Sequence, residues 1–133
     1  MKGRIGILIA ILSLASLSAT PAPDPPPAKA SRIARIFHGQ VLTSKADEYD
    51  SYLSGGVDKL RKTPGSLGVT ILRRADGDKT EFVVMSLWDS IESVKKYAGE
   101  NYQKVVMLPR DHEFLVGEPS VLHYEVRREE RQP

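Results

Sequence analysis

The sequence predicts a single α+β domain in the order β-α-β-β-α-β, a four-stranded antiparallel sheet with two helices on one face. Three observations lead there. The apolar run at residues 82–88, FVVMSLW, ends on the only tryptophan and passes directly into a helix start at Asp89-Ser90. A segment with apolar residues at helical spacing begins near Ser44 and ends at Thr63-Pro64-Gly65. Two aliphatic runs, LGVTILRR at 67–74 and FVVMSLW, flank the turn chemistry Ala75-Asp76-Gly77-Asp78 and read as a hairpin.

The first strand covers residues 32–42, where Ile33, Arg35 and Phe37 alternate with Ala34, Ile36 and His38, so both faces are partly covered. Ser44 with Asp47 three residues on resembles a capping arrangement, and Tyr49, Tyr52, Leu53, Val57 and Leu60 then share one helical face. Gly55-Gly56 in the middle costs about 1 kcal/mol per glycine relative to alanine, which predicts a bend or a close packing partner there. The hairpin follows. Asp89 and Ser90 offer side-chain oxygens to orphan amides, Ile91, Val94 and Tyr97 or Ala98 continue at helical spacing, and Gly99 ends that helix. Asn101 is placed to cap a short helical turn through Tyr102, Val105 and Val106 that Pro109 closes, and residues 110–116 are ambiguous, with a short helix as one reading. Gly117-Glu118-Pro119 breaks the chain before a last strand, VLHYEV, at 121–126. This is the ferredoxin-like split arrangement. Its helices cover one face only, yet the hairpin strands are apolar on both, so the open face is expected to meet a second copy, forming a homodimer through the sheet face with a barrel-like body.

The ends lie outside this domain. Lys2 and Arg4 precede the apolar residues 5–17, and Ser18, Ala19, Thr20 and Ala22 offer cleavage positions, the layout of a signal peptide over residues 1–22. That stretch is short for a membrane span, so no stable insertion is expected after its removal, and a periplasmic or secreted location is expected. Five prolines within residues 21–27 make 23–31 an extended tether, the domain is assigned 32–126, and RREERQP at 127–133 is a charged, solvated tail. Without Lys2 and Arg4 the chain carries 17 basic against 17 acidic residues, so a nucleic-acid partner, which needs a clustered basic surface, is not expected. Cysteine is absent, which excludes disulfides and a lipoprotein lipobox.

No phosphate-cradling glycine loop, GxSxG, HExxH or cysteine metal set occurs. Polar residues on apolar elements remain. His38 and His123 fall on strands that neighbour each other in this order, and each reads either as a proton carrier near neutral pH or as a hydrogen-bonded structural residue. Of the adjacent Tyr124 and Glu125, one is expected toward the core and the other toward an interface or rim. Arg73 and Arg74 read as solvated charges. Arg110, Asp111, His112 and Glu113 form either a solvated loop or a pocket lid. Tyr49, Tyr52, Tyr97 and Tyr102 form either an aromatic pocket or ordinary core. Trp88 has the same two readings. No metal site is expected, because no carboxylate joins the three histidines at ligand spacing.

The element order, Pro64-Gly65 after the first helix, the hairpin, the W-D-S-x-E helix start (Trp88, Asp89, Ser90, Glu92), YAGENY and the closing HYEV resemble the antibiotic biosynthesis monooxygenase domain superfamily over residues 32–126. The resemblance implies a dimeric α/β-barrel with an apolar pocket between sheet and helices in each subunit. It also implies a cofactor-independent monooxygenase acting on a small apolar aromatic or quinol-type substrate, with no cofactor, or alternatively a non-catalytic module binding a small apolar ligand. On that pattern His38 or His123 is the candidate base, Trp88 the pocket wall, and Tyr97 or Tyr102 substrate-binding donors. Haem-degrading members carry a histidine ligand after the tryptophan and an asparagine on the first strand. Here those places hold Val105, Val106 and Met107, and Phe37 and His38.

Overall fold

A computed structural model describes residues 3, 6, 11–23 and 31–133. Lys2, Arg4 and residues 7–10 of the expected signal peptide, and 24–30 of the expected tether, lie outside the described residues. No helix among those described is long and apolar enough to cross a membrane.

The elements are β1 (Ile33–Leu42), α1 (Ala46–Gly56), α2 (Asp58–Lys62), β2 (Ser66–Asp76), β3 (Lys79–Trp88), α3 (Ile91–Ala98), α4 (Asp111–Phe114) and β4 (Leu115–Glu125). One antiparallel sheet in the order β2-β3-β1-β4 carries the helices on one face, the predicted α+β ferredoxin-like topology. Registers Arg35↔Ser86, Phe37↔Val84 and Val41↔Thr80 put these residues on the helix-covered face. Two buried clusters fill that layer: Val41, Tyr49, Leu53, Phe82, Val84 and Phe114 in one, and Leu60, Trp88 and Val94 in the other.

Several local expectations are corrected. The long helix does not run through: α1 ends at Gly56 and α2 begins at Asp58, where a Cβ on Gly56 would stand 2.3 Å from Leu108 Cδ1, so a bend and a close neighbour coincide. Ser44 and Asp47 form no cap; residues 43–45 make a 3-10 turn, and Asp47 accepts instead from Arg73 Nη1 at 2.7 Å. Arg73 also reaches Asp50 at 3.3 Å and lies over the Phe82 ring, so it is paired rather than merely solvated. The helical turn expected after Asn101 is one hydrogen-bonded turn, Lys104 N donating to the Asn101 carbonyl at 2.9 Å, and it does not continue through Val105 and Val106; the carbonyls of Tyr102 and Lys104 accept from Arg35 instead. Strand β4 starts at Leu115 and passes through Gly117-Glu118-Pro119 as a bulge opposite Gly39, tolerated because β4 is an edge strand. Tyr124 and Glu125 are both exposed, so neither faces the core.

The Pro64-Gly65 corner shows why that dipeptide is needed. Gly65 has φ +91°, and a Cβ there would stand 2.0 Å from Ser93 Oγ and 2.8 Å from Asp89 Oδ1, while its carbonyl accepts from Asp89 N. Gly65→Ala combines left-handed strain of about 1–2 kcal/mol with overpacking of about 1–3 kcal/mol. A loss of about 2–4 kcal/mol in urea denaturation is therefore expected, and a loss below 1 kcal/mol would contradict this account of the corner.

Candidate functional site

Between the two clusters lies a cavity of about 50 Å³. Its sheet wall is Arg35, Phe37, Val84 and Ser86; Tyr49, Leu53, Leu60 and Tyr97 line it from the helices; Val106, Leu108 and Asp111 line another side, and the space is partly open. The walls are mostly apolar, with a guanidinium, a carboxyl and two phenols among them.

Arg35 follows from the phase of β1. It shares a strand face with Phe37 and Val41, so it points inward and is only 4% exposed. Its Nη1 donates to the Tyr102 carbonyl and to His123 Nε2 at 2.8 Å, and its Nη2 donates to the Lys104 carbonyl at 3.1 Å. Burial lowers its pKa from the ordinary value, but a guanidinium stays charged at any pH a protein meets. Asp111 is 2% exposed, accepting from Leu108 N at 2.7 Å and from Tyr49 Oη at 3.2 Å. Burial raises its pKa, against the opposing pull of those two donors. Burial likewise raises Tyr49, reinforced by the Asp111 charge, and raises Tyr97, whose rise the Arg35 charge opposes.

Of the residues given catalytic or substrate-binding roles from sequence, His38, Trp88, Tyr97, Tyr102 and His123, only Tyr97 lines this cavity; Tyr49 and Asp111, read from sequence as possible pocket and lid residues, line it as well. Trp88 is fully buried one layer behind it, stacked on Tyr97 at 5.8 Å with Nε1 donating to Ser86 Oγ at 2.9 Å, so it braces two wall residues without touching the space. Tyr102 and His123 meet edge-on at 5.1 Å and line a separate open groove of about 590 Å³ beside β4. Arg35 reaches from the cavity to that groove through its bond to His123. Since arginine only donates, His123 Nε2 is the acceptor and its proton sits on Nδ1. Burial and then the Arg35 charge lower the His123 pKa, which keeps the ring neutral and its lone pair occupied. His38 lies on the opposite sheet face, 3.7 Å from Glu81, and the structure does not bring it to the cavity. Among the described residues no three His, Asp or Glu side chains cluster as metal ligands.

Sequence reasoning missed Arg35 and named Asp111 only within a possible pocket lid. The first had a signal, an arginine in phase with Phe37 and Val41. For the second, nothing local separates it from its three polar neighbours, since its burial depends on Tyr49, 62 positions earlier. The four-polar segment around it splits: Arg110 pairs with Glu113 and lies over Tyr52 and Phe114, His112 is exposed, and Asp111 turns inward.

No protein of curated function matches the chain. Solved structures share the fold. SnoaB, a cofactor-independent oxygenase from Streptomyces nogalater, is 17% identical with a TM-score of 0.56, covering 75% of this chain and 97% of that one. A heme-degrading protein from Mycobacterium tuberculosis is 20% identical, TM-score 0.57, covering 77% and 99%. A putative antibiotic biosynthesis monooxygenase from Nitrosomonas europaea is 14% identical, TM-score 0.59, covering 74% and 92%. The family model described as antibiotic biosynthesis monooxygenase matches residues 33–107, which run from β1 to the segment after α3 whose carbonyls meet Arg35 and make up more than half of the chain. The chain therefore belongs to the antibiotic biosynthesis monooxygenase family.

Proposed function

We propose that this protein is a cofactor-independent monooxygenase that oxidises a small aromatic phenol or quinol in the cavity between sheet and helices. The observation that carries the reading is the pairing, within one mostly apolar space, of a buried arginine with a buried carboxyl that form no ion pair with each other. Ionising a phenol needs a proton acceptor and a cation to steady the oxyanion. Asp111 takes the first role and Arg35 the second, while the apolar walls exclude water. The electron-rich ring then reduces dioxygen itself. One oxygen atom enters the ring as a new carbonyl, and the other leaves as water with the hydroxyl and ring hydrogens, so phenol plus dioxygen gives quinone plus water.

The roles first expected of His38 and His123 pass to these two residues, because His38 faces away and the lone pair of His123 is held by Arg35. A non-catalytic ligand-binding module is the second reading. It is favoured by the same apolar lining with Arg35 and Asp111, which holds a small ligand without any need for turnover. The residues at 105–107 offer no nitrogen ligand to haem iron, which sets haem below a phenol as substrate.

Because Trp88 stacks on the wall residue Tyr97, its emission reports on occupancy. Apolar phenols and quinols are expected to quench it while oxygen is consumed. Quenching without oxygen uptake across the series would replace the oxygenase with the binding module, and no quenching would remove both.

The dimer and export are part of the same proposal. Leu72, Met85, Leu122 and Tyr124 stand 38–52% exposed on the sheet face opposite the helices, a contiguous apolar surface for a second copy. Leu122→Glu with Met85→Glu is expected to convert a dimer to monomers in sedimentation velocity, without loss of far-UV signal. A wild-type monomer at micromolar concentration would overturn it. The basic and apolar N-terminal segment supports export to the periplasm or medium.

A further inference from the structure

Resting on the reading that the cavity is the ligand site, we propose that its ligand is a monocyclic aromatic oxyanion, a phenolate or carboxylate, that takes Arg35 from the Tyr102 and Lys104 carbonyls and so loosens the strap at 99–110.

The argument begins with charge. Arg35 is buried, yet no carboxylate among the described residues pairs with it; its hydrogen-bond partners are two carbonyls and a neutral imidazole, and its guanidinium lies 5.9 Å from the centre of the Tyr97 ring. A buried cation held only by neutral groups keeps most of its desolvation cost, and an anion in contact offsets far more of it than a carbonyl does. Of its five N–H donors, Nε–H and one on Nη2 have no acceptor among the described residues. The guanidinium lines the cavity, where an oxyanion meets it with the two-point geometry that arginine favours.

Volume supplies the second half. A closed cavity of about 150 Å³ holds benzene, whereas this partly open one is about 50 Å³, so a ring seated fully inside it must displace a wall. The sheet and α1 are held by regular backbone hydrogen bonding. Residues 99–110 carry neither helix nor strand, and their Val106 and Leu108 side chains form one wall. The strap's far end is fastened by Leu108 N to Asp111 and by Arg110 N to Tyr52 Oη at 2.8 Å. Its near end is fastened to Arg35 through the carbonyls of Tyr102 and Lys104. An anion that takes the two free donors draws the guanidinium into the cavity and away from those carbonyls, so the binding energy of the charged ligand loosens the near end and opens the space it needs.

The probe for the test is 4-nitrophenol, whose absorption distinguishes phenol from phenolate, with nitrobenzene as its neutral counterpart. Bound 4-nitrophenol is expected to be the phenolate, with its ionisation displaced downward by a unit or more, which corresponds to at least tenfold tighter binding of the anion. Arg35→Gln is expected to weaken phenolate binding at least tenfold and to abolish the preference for phenolate over nitrobenzene. Trypsin cleavage after Lys104 is expected to accelerate with 4-nitrophenolate and not with nitrobenzene. A bound probe that stays neutral, or equal affinities for both probes, would overturn the proposal while leaving the cavity as the ligand site. Binding of neither probe would overturn the cavity reading as well. The wild-type spectrum alone reads the charge of the bound probe, so the outcome does not depend on whether Arg35→Gln folds.

Discussion

Replacing Trp88 by alanine is expected to cost about 3–5 kcal/mol of stability, the range for removing a buried aromatic from a packed core. Trp88 is fully buried between Leu60 and Val94, its ring stacks on Tyr97, and its Nε1–H is the donor to Ser86 Oγ. Truncation leaves a cavity and removes both contacts. Ser86 and Tyr97 line the site, so the loss reaches the site as well as the fold. Trp88→Phe keeps most of the apolar volume and gives up the indole donor, so a smaller loss is expected. Urea denaturation followed by far-UV circular dichroism measures both, independent of the fluorophore being removed. A Trp88→Ala loss under about 1 kcal/mol would mean that the tryptophan sits in a layer able to collapse around its absence.

Asp111→Asn is expected to lower oxygen uptake on a phenolic substrate about 10²–10⁴-fold, the usual contribution of a positioned general base. The amide keeps an acceptor for Leu108 N and a group able to bond Tyr49 Oη, so folding is largely retained. Asp111→Ala, by contrast, strands both donors in a buried place, at about 1–3 kcal/mol for an unsatisfied group. The variant also has a readout apart from turnover. Folding raises the Asp111 pKa, so the native state favours the protonated carboxyl. Its stabilising contribution is fully present below the ordinary aspartate value of about 3.9. It is lost as pH rises through the folded value. His123 acts in the opposite sense, its lowered pKa removing stability as pH falls below about 6.5. That residue is common to wild type and Asp111→Asn, so the difference between their stability curves isolates Asp111. Wild type is expected to fall relative to the variant as pH rises from about 4, and parallel curves would show a carboxyl no different from a solvated one. Uptake unaffected by Asp111→Asn would remove Asp111 from the chemistry.

The two residues given the chemical roles were legible in the sequence to different degrees. Arg35 stood in an alternating strand, in phase with Phe37 and Val41, and was readable as inward once that phase was known to be the covered one. His38 stood one position out of phase with them and faces the open side of the sheet. His123 was rightly placed beside β1, but its pairing with Arg35 was not foreseeable. Asp111 sat in a run of four polar residues that read as a solvated loop or a pocket lid, with nothing local to single out which of the four turns inward.

What the sequence determined by itself was local and periodic. Period-two apolar runs specified four strands, the Asp89-Ser90 start produced the observed Ser90 cap on Ser93 N, and Pro64-Gly65 and Gly99 stopped the helices where they stop. Those signals act within a few residues, so they survive in one dimension. What only the tertiary structure decided was which sheet face the helices cover, and hence which of two alternating sets is inside. A strand's period assigns residues to two faces but does not say which is buried, and β1 and β3 are apolar on both. The site rests on that choice and on contacts between Arg35 and His123 and between Tyr49 and Asp111, 88 and 62 positions apart. Desolvation of a charge is a property of everything packed around it, and those neighbours come together only when the chain has folded.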